Sequence, residues 1–375
     1  MVVERGRVRA VLRGPRAVRR AGGRIVDLGA AVLTPGLVDA HAHLELTALA
    51  GRVPATGGFG AWVGRLLALR ARTPERELER GVRSGAQQLV RTGTTAVGDI
   101  DSTGLAARAL KDGPLRVRLY REVLDGGDPE RTGAAAARVS RALAGGAALR
   151  EGLSPHAPFS VTPELLAMLA RVARRRRLPV TVHWSETRAE LDWLRDGRGP
   201  LAPLLVRSPH RSGLDLLADA GLLGPATSLV HGNLPERGEA LRIARAGATL
   251  VHCPGSHRFF GRAPFPLAHY RARRVHLALG TDSAASNDGL DMRHEMALLR
   301  AAHPSLAPET VWRMATEGGA RALGWSDALG ALAPGRRADL ALFEVGARGR
   351  RGILEELTTA CPAVRGCWVG GRTTL

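Results

Sequence analysis

Eight short apolar runs, each ending in polar residues and each followed by an amphipathic stretch, constrain this chain more than any other feature. They are GLVDAHAH (36–43), TTAVGDID (94–101), LRVRLYRE (115–122), LREGLSPHA (149–157), PVTVHWSE (179–186), TSLVHGN (227–233), ATLVHCP (248–254) and VHLALGTDS (275–283). Short apolar runs bounded by turn residues read as strands, and strands buried on both faces belong to parallel sheets. Helical patterns lie between them, such as AWVGRLLALRA, RELERGVRSGAQQLVRTG and ALRIARAG, several closed by a glycine suited to a helix end. Eight such units predict an α/β fold of the (β/α)8, TIM-like type, with reactive groups at the C-terminal ends of the strands. A chain of 375 residues is long enough for a barrel of about 250 residues and a small companion.

The flanks read differently. Residues 1–34 and 329–375 contain short strand-like pieces and turns, such as RADLALFEV and GCWVGGRTTL, and no helical pattern. Both are expected to pair into one small β-rich domain beside a barrel spanning 35–328.

A formal net charge of +19 raises nucleic acid as a partner. The arginines are scattered through the chain, Lys111 is the only lysine, and aromatics are only 4%, with no base-stacking motif, so the sequence argues against that partner. The densest run, Arg174 to Arg177, follows the helical pattern TPELLAMLARVA, where cations complement the negative end of a helix dipole. Charges every few residues at the N-terminus exclude a secretory h-region, and no apolar stretch reaches the length of a membrane helix. A cytoplasmic protein is expected. Cys253, Cys361 and Cys367 fit buried thiols in a reduced compartment better than a disulfide framework or a zinc spacing.

The first run carries two histidines one residue apart. In a strand His41 and His43 emerge on one face, separated by about 6 to 7 Å, and can converge on one ion. The fifth run offers His183, the sixth His231 and the eighth Asp282. Around one barrel mouth these side chains make a site for Zn²⁺, with Fe²⁺ the alternative.

Taken together, PGLVDAHAHLE, SPHAPFSVTPELL, VHWSETRAELDWL, LVHGN, HCPGSH and GTDSAASN resemble the amidohydrolase superfamily, in its branch of metal-dependent deaminases and chlorohydrolases of amino-substituted heterocycles. The resemblance spans about residues 30 to 345. It implies a composite β-sandwich built from both termini, and it implies His41, His43, His183 and Asp282 as metal ligands. It further implies Glu186, of the H-x-x-E motif, as the acid that protonates a ring nitrogen, with His231 beside the reacting water and Asp282 as the proton acceptor. Binuclear members bridge two metals with a lysine at the end of strand four; here that end reads LSPHAP, so one divalent cation is expected.

Glu45, Trp62, Glu122, His156, His257 and Arg258 are expected near the mouth as substrate contacts, with Phe159 divided between packing and contact. His257 stands where the pattern C-P-x-S-N has asparagine. The segments HLELTALAGRVPATGGFGAWVGRLLALR, SHRFFG and GTDSAASNDGLDM are most similar to aminodeoxyfutalosine deaminases of menaquinone biosynthesis within this branch. A small aminated heterocycle is therefore the expected partner, and a homodimer is a family-level expectation. A chlorohydrolase, a deaminase of guanine, oxidised purine, pterin or triazine, and a basic nucleic-acid-binding protein remain the alternatives.

Overall fold

The computed structural model describes residues 1–12, 14–20, 22–144 and 149–375. Eight parallel strands follow one another in sequence order: Leu37–Ala42, Thr94–Asp101, Arg116–Val123, Arg150–Pro155, Val180–Trp184, Thr227–His231, Thr249–His252 and His276–Leu279. Seven of the eight apolar runs contain one of them whole, and the third strand runs one residue past its run, to Val123. Every residue of strands one, two, five, six and seven is buried. Burial on both faces is why these runs are continuously apolar instead of alternating.

The sheet closes through the ends of strands one and eight. The Asp282 N–H donates to the His41 carbonyl and the His43 N–H donates to the Asp282 carbonyl, both at 2.9 Å. Gly280 permits this approach, since a Cβ there would lie 2.8 Å from the His41 carbonyl oxygen. Closure thus occurs at the residues that carry candidate ligands.

Helices fill the predicted intervals, including Gly58–Arg72, Glu75–Arg91, Pro163–Arg176 and Glu239–Ala246. Thr162 caps the third of these by accepting the Leu165 N–H at 3.2 Å, and Arg174 to Arg176 occupy its last turn. Arg177 then leaves the helix at φ +54°. Cations at that end meet the free carbonyls of the last turn.

The flanks join in one sheet. Val32–Pro35 pairs antiparallel with Leu340–Phe343, Thr34 facing Ala341, and Val364–Val369 and Arg372–Thr373 extend the sheet outward. A hairpin of Val2–Glu4 and Arg7–Ala10 stands beside it, its Gly6 carbonyl accepting the Ala338 N–H at 2.9 Å. Arg116, on strand three, ties this region to the barrel through a forked pair with Asp339 at 2.8 and 3.0 Å. Gly370 N–H also donates to that carboxylate, at 2.8 Å.

The flanks do contain helices, Pro15–Arg20 and Gly349–Thr359, against the expectation of strands and turns alone. The second forms because Ile353 and Leu357, four residues apart, share a face that packs on the main core, a pattern too short to stand out beside its arginines. Among the described residues no helix is long and apolar enough to cross a membrane. The three cysteines are free, with Cys253 and Cys367 buried.

Candidate metal centre and active-site cavity

His41 and His43 leave the end of strand one on one side, His183 is the last residue but one of strand five, His231 ends strand six, and Asp282 follows strand eight. All five meet at the C-terminal rim. The Nε2 of His183 lies 3.2 Å from that of His41 and 3.3 Å from that of His43. Asp282 Oδ1 lies 3.7 Å from His41 Nε2 and 3.6 Å from His43 Nε2. Neighbouring ligands around a Zn²⁺, with bonds of about 2.0–2.1 Å, stand about 3.4 Å apart, so each of these four separations matches one edge of a coordination sphere.

Their protonation fits as well. Burial pushes the His41 imidazole below its ordinary value and that of His43 down to about 3, leaving neutral rings with lone pairs to offer. Burial would raise the Asp282 carboxyl, but its contact with His41 and the other neighbouring imidazoles outweigh it and hold the group well below the usual carboxylate range. Nitrogen lone pairs and a carboxylate crowded this closely repel one another unless a cation lies between them. His183 Nδ1–H donates to the His156 carbonyl at 2.8 Å, which fixes the tautomer with its Nε2 lone pair inward.

The backbone that aims these groups is unusual. Ser185, His231 and Asp282 adopt φ values of +51°, +75° and +59°, a left-handed region costly for residues with a Cβ. Each sits at or just beyond a strand end, where the reversal turns side chains toward the barrel axis.

Glu186 follows Ser185 and is buried. Its Oε2 lies 3.7 Å from His231 Nε2, and its Oε1 accepts from Arg262 Nη2 at 2.5 Å. Burial raises the carboxyl above its ordinary value, and Arg262 opposes the rise. The backbone beneath it is held by Glu190, whose carboxyl oxygens accept the Ser185 N–H at 2.9 Å and the Glu186 N–H at 2.7 Å. Asn233 Nδ2 donates to the Glu186 carbonyl at 3.0 Å.

Above the cluster opens a cavity of about 240 Å³. Its floor includes His43, His183, His231, Glu186 and Asp282; Glu122, His156 and Ser102 form a polar side. Ser102 donates to Glu122 Oε2 at 2.5 Å, while Glu122 Oε1 is buried without a partner. Burial opposes ionisation of Glu122, yet the His156, His43 and His183 rings hold its carboxyl down to about 2. Burial lowers His156 to about 4, and its Nδ1 contacts Ser160 Oγ at 2.7 Å. Glu122, His156 and His183 also come within 4.8 Å of one another. Because the His183 Nε2 already faces His41 and His43, that second group has only two donors of its own.

The remaining wall is mostly apolar. Phe59 and Trp62, on Gly58–Arg72, meet Phe260 with ring centroids 5.5 and 5.1 Å away. Leu46, Leu66, Leu201 and Phe159 continue the surface.

Three of the residues expected as substrate contacts do not line this cavity. Glu45 is buried behind it, accepting from Thr103 at 2.6 Å and facing Arg70 at 2.9 Å. His257 and Arg258 are neighbours on Pro254–Phe259, whose turn separates them: His257 faces Asn233 and the Ala263 carbonyl, and Arg258 pairs with Asp288 at the surface. Arg262, Arg70 and Ser102 were not anticipated. In a chain so rich in arginine, no local pattern singles out Arg262.

The amidohydrolase family profile matches residues 32–373. A 5-methylthioadenosine/S-adenosylhomocysteine deaminase of Nitratidesulfovibrio vulgaris is 32% identical over 368 residues, covering 92% of this chain and 79% of that protein. An aminodeoxyfutalosine deaminase of Deinococcus radiodurans is 32% identical over 321 residues, covering 78% of this chain and 74% of that one. Among solved structures, an adenosine deaminase from Xanthomonas campestris with bound zinc superposes with a TM-score of 0.82 at 26% identity, covering all of this chain and 87% of that one.

Proposed function

The chain belongs to the amidohydrolase family, and from that premise we propose that it is a mononuclear, metal-dependent aminohydrolase that exchanges an exocyclic amino group of a purine-like heterocycle for oxygen and releases ammonia. One observation carries the reading: the His183 Nε2 and the Asp282 Oδ1 each lie within 3.7 Å of the Nε2 atoms of both His41 and His43, beside a buried glutamate at the floor of a pocket. His41, His43, His183 and Asp282 would hold the cation, proposed as zinc, with iron as the alternative. A divalent cation there supplies the Lewis acidity that makes water nucleophilic near neutral pH.

The protein groups then divide the proton transfers. Asp282, through the oxygen turned from the ligand cluster, accepts the proton of the attacking water. Glu186, whose burial favours its protonated form, donates to the ring nitrogen next to the reacting carbon. His231 hydrogen-bonds the oxygen as negative charge grows on it. Asp282 passes its proton to the departing amine, the remaining proton of the added hydroxyl returns to Glu186, and the ring carbon is left as a carbonyl with ammonia as the second product.

The wall supports a substrate larger than a bare ring. Trp62, Phe59 and Phe260 offer faces to a flat heterocycle, and the unpartnered Glu122 Oε1 together with His156 offers an acceptor and a switchable donor for hydroxyl groups. Beyond them the leucine-lined rim suits an alkyl or aromatic appendage, and Arg70, the one arginine lining the cavity among the described residues, could meet a carboxylate on it. Aminodeoxyfutalosine combines these features and is the substrate we put first, with 5-methylthioadenosine second. The relatives named above act on such compounds by their names.

The test is to count metal in the purified protein and to measure ammonia release from adenosine, 5-methylthioadenosine, aminodeoxyfutalosine, guanine and a chlorinated triazine. Metal-dependent release from an aminated purine nucleoside, lost on chelation and in Glu186→Gln with metal retained, supports the reading. Release of chloride alone, or turnover indifferent to chelation, rejects it.

A further inference from the structure

We propose that Arg262 is a positioning residue that latches the Glu186 carboxylate in its working orientation, and that His257 braces the latch; this rests on the reading of Glu186 as the acid. The two side chains are 11% and 8% exposed, so their charge-assisted hydrogen bond lies away from bulk water. Arg262 contacts Glu186 at two places: Nη2 donates to Oε1 at 2.5 Å, and Nη1 donates to the Glu186 backbone carbonyl. A planar guanidinium that grips both the head of a side chain and its own backbone fixes the torsions between them. The other carboxyl oxygen is left facing His231 and the cavity.

Among the described residues no other side chain donates a hydrogen bond to the Glu186 carboxylate. Glu190 and Asn233 secure the Glu186 backbone but do not touch its carboxylate. Arg262 is itself located from three directions. Its guanidinium lies over the Phe260 ring at 4.7 Å and the Phe59 ring at 5.6 Å, and the carbonyl of the next residue, Ala263, accepts the His257 Nε2–H at 2.8 Å. Phe59 and Phe260 are also wall residues of the cavity. A ring seated against them therefore bears on the same guanidinium that aims the acid, which couples occupation of the pocket to orientation of the proton donor.

The experiment compares metal-loaded wild type with Arg262→Gln, Arg262→Lys and Arg262→Ala on the best aminated substrate. The latch predicts that Arg262→Gln lowers kcat by about 30-fold with KM changed less than about threefold, that Lys retains part of the rate, and that added guanidinium ion restores several-fold activity to Arg262→Ala alone. Rescue by guanidinium separates a missing group from a collapsed fold. An unchanged kcat with raised KM makes Arg262 a wall residue and overturns the proposal, as does absence of both Lys retention and guanidinium rescue. Crystal structures of wild type and Arg262→Gln, which need no substrate, supply the independent reading. A Glu186 carboxylate swung from its place supports the latch, and one unmoved refutes it. If the wild type deaminates nothing, the functional proposal fails and the crystallographic comparison alone decides the latch.

Discussion

Replacing Glu190 by alanine tests how the loop bearing Glu186 is held. Thr187 and Glu190 form a capping box at Arg188–Asp196: the Glu190 N–H donates to Thr187 Oγ1 at 3.1 Å, and the glutamate side chain reaches back to two backbone donors. Those donors, the Ser185 and Glu186 N–H groups, are buried, and Glu190 is 1% exposed. Alanine leaves both without partners at about 1–3 kcal/mol each. Burial raises the Glu190 carboxyl to about 8, so at pH 7 the group removed is mostly neutral and no charge-pair energy is added. The expected loss is about 3 kcal/mol, or about 4 °C in melting temperature for a chain of this size. Glu190→Gln keeps one acceptor and should lose about half as much. Because the Glu186 backbone is released, kcat should fall about 10- to 100-fold in the alanine variant. Urea denaturation and steady-state kinetics measure both. A loss under about 0.5 kcal/mol with unchanged kcat would refute the account of the loop.

Three other outcomes follow from the geometry. His43→Ala should reduce bound metal well below one equivalent by elemental analysis and lower kcat by at least about 1000-fold; full metal content in that variant would remove His43 from the ligand set. Asp339→Ala should cost about 3 kcal/mol in denaturant, because it strands Arg116 and the Gly370 N–H, while kcat stays within about twofold, since the pair joins the flanking sheet to the start of strand three, at the end of the barrel away from the ligand rim; equal loss of kcat would count against that separation. Burial raises Glu295 to about 8, as it does Glu190. Their unfolded counterparts ionise near 4.5, so between those values the folded state binds more protons and stability is lost as pH rises. Below about pH 6.5 buried imidazoles such as His252 and His257 oppose this trend, being lowered by burial. The melting temperature of metal-free protein should therefore fall from pH 6.5 to about 8, and less steeply in Glu295→Gln; a rise over that range contradicts the sign.

The barrel was readable because its strands are buried on both faces and so appear as uninterrupted apolar runs. The meeting of His41 with His43 was readable for a different reason: a period of two puts them on one side of a strand. Helical neighbours gave no such help. His257 and Arg258 differ by one position and by about 100° around the helix axis, so proximity in sequence did not say which faced inward. Glu45 sits on the 3-10 turn Leu44–Leu49, where no strand periodicity applies, and its partners Thr103 and Arg70 lie far away in sequence. Arg262 acts through a tertiary contact with Glu186 across 76 positions, which no spacing rule registers.

The flanking sheet has a consequence for how the ligand strand comes to rest. Thr34 and Ala341 face each other though 307 positions separate them, and only Gly36 intervenes between Val32–Pro35 and the strand that bears His41 and His43. During synthesis the ribosome delivers 340–343 long after 37–42, so the histidine-bearing peptide lacks its anchor until most of the polypeptide has emerged. A premature stop ahead of residue 340 should thus register as poor metal retention, although every proposed ligand is still present in the truncated product.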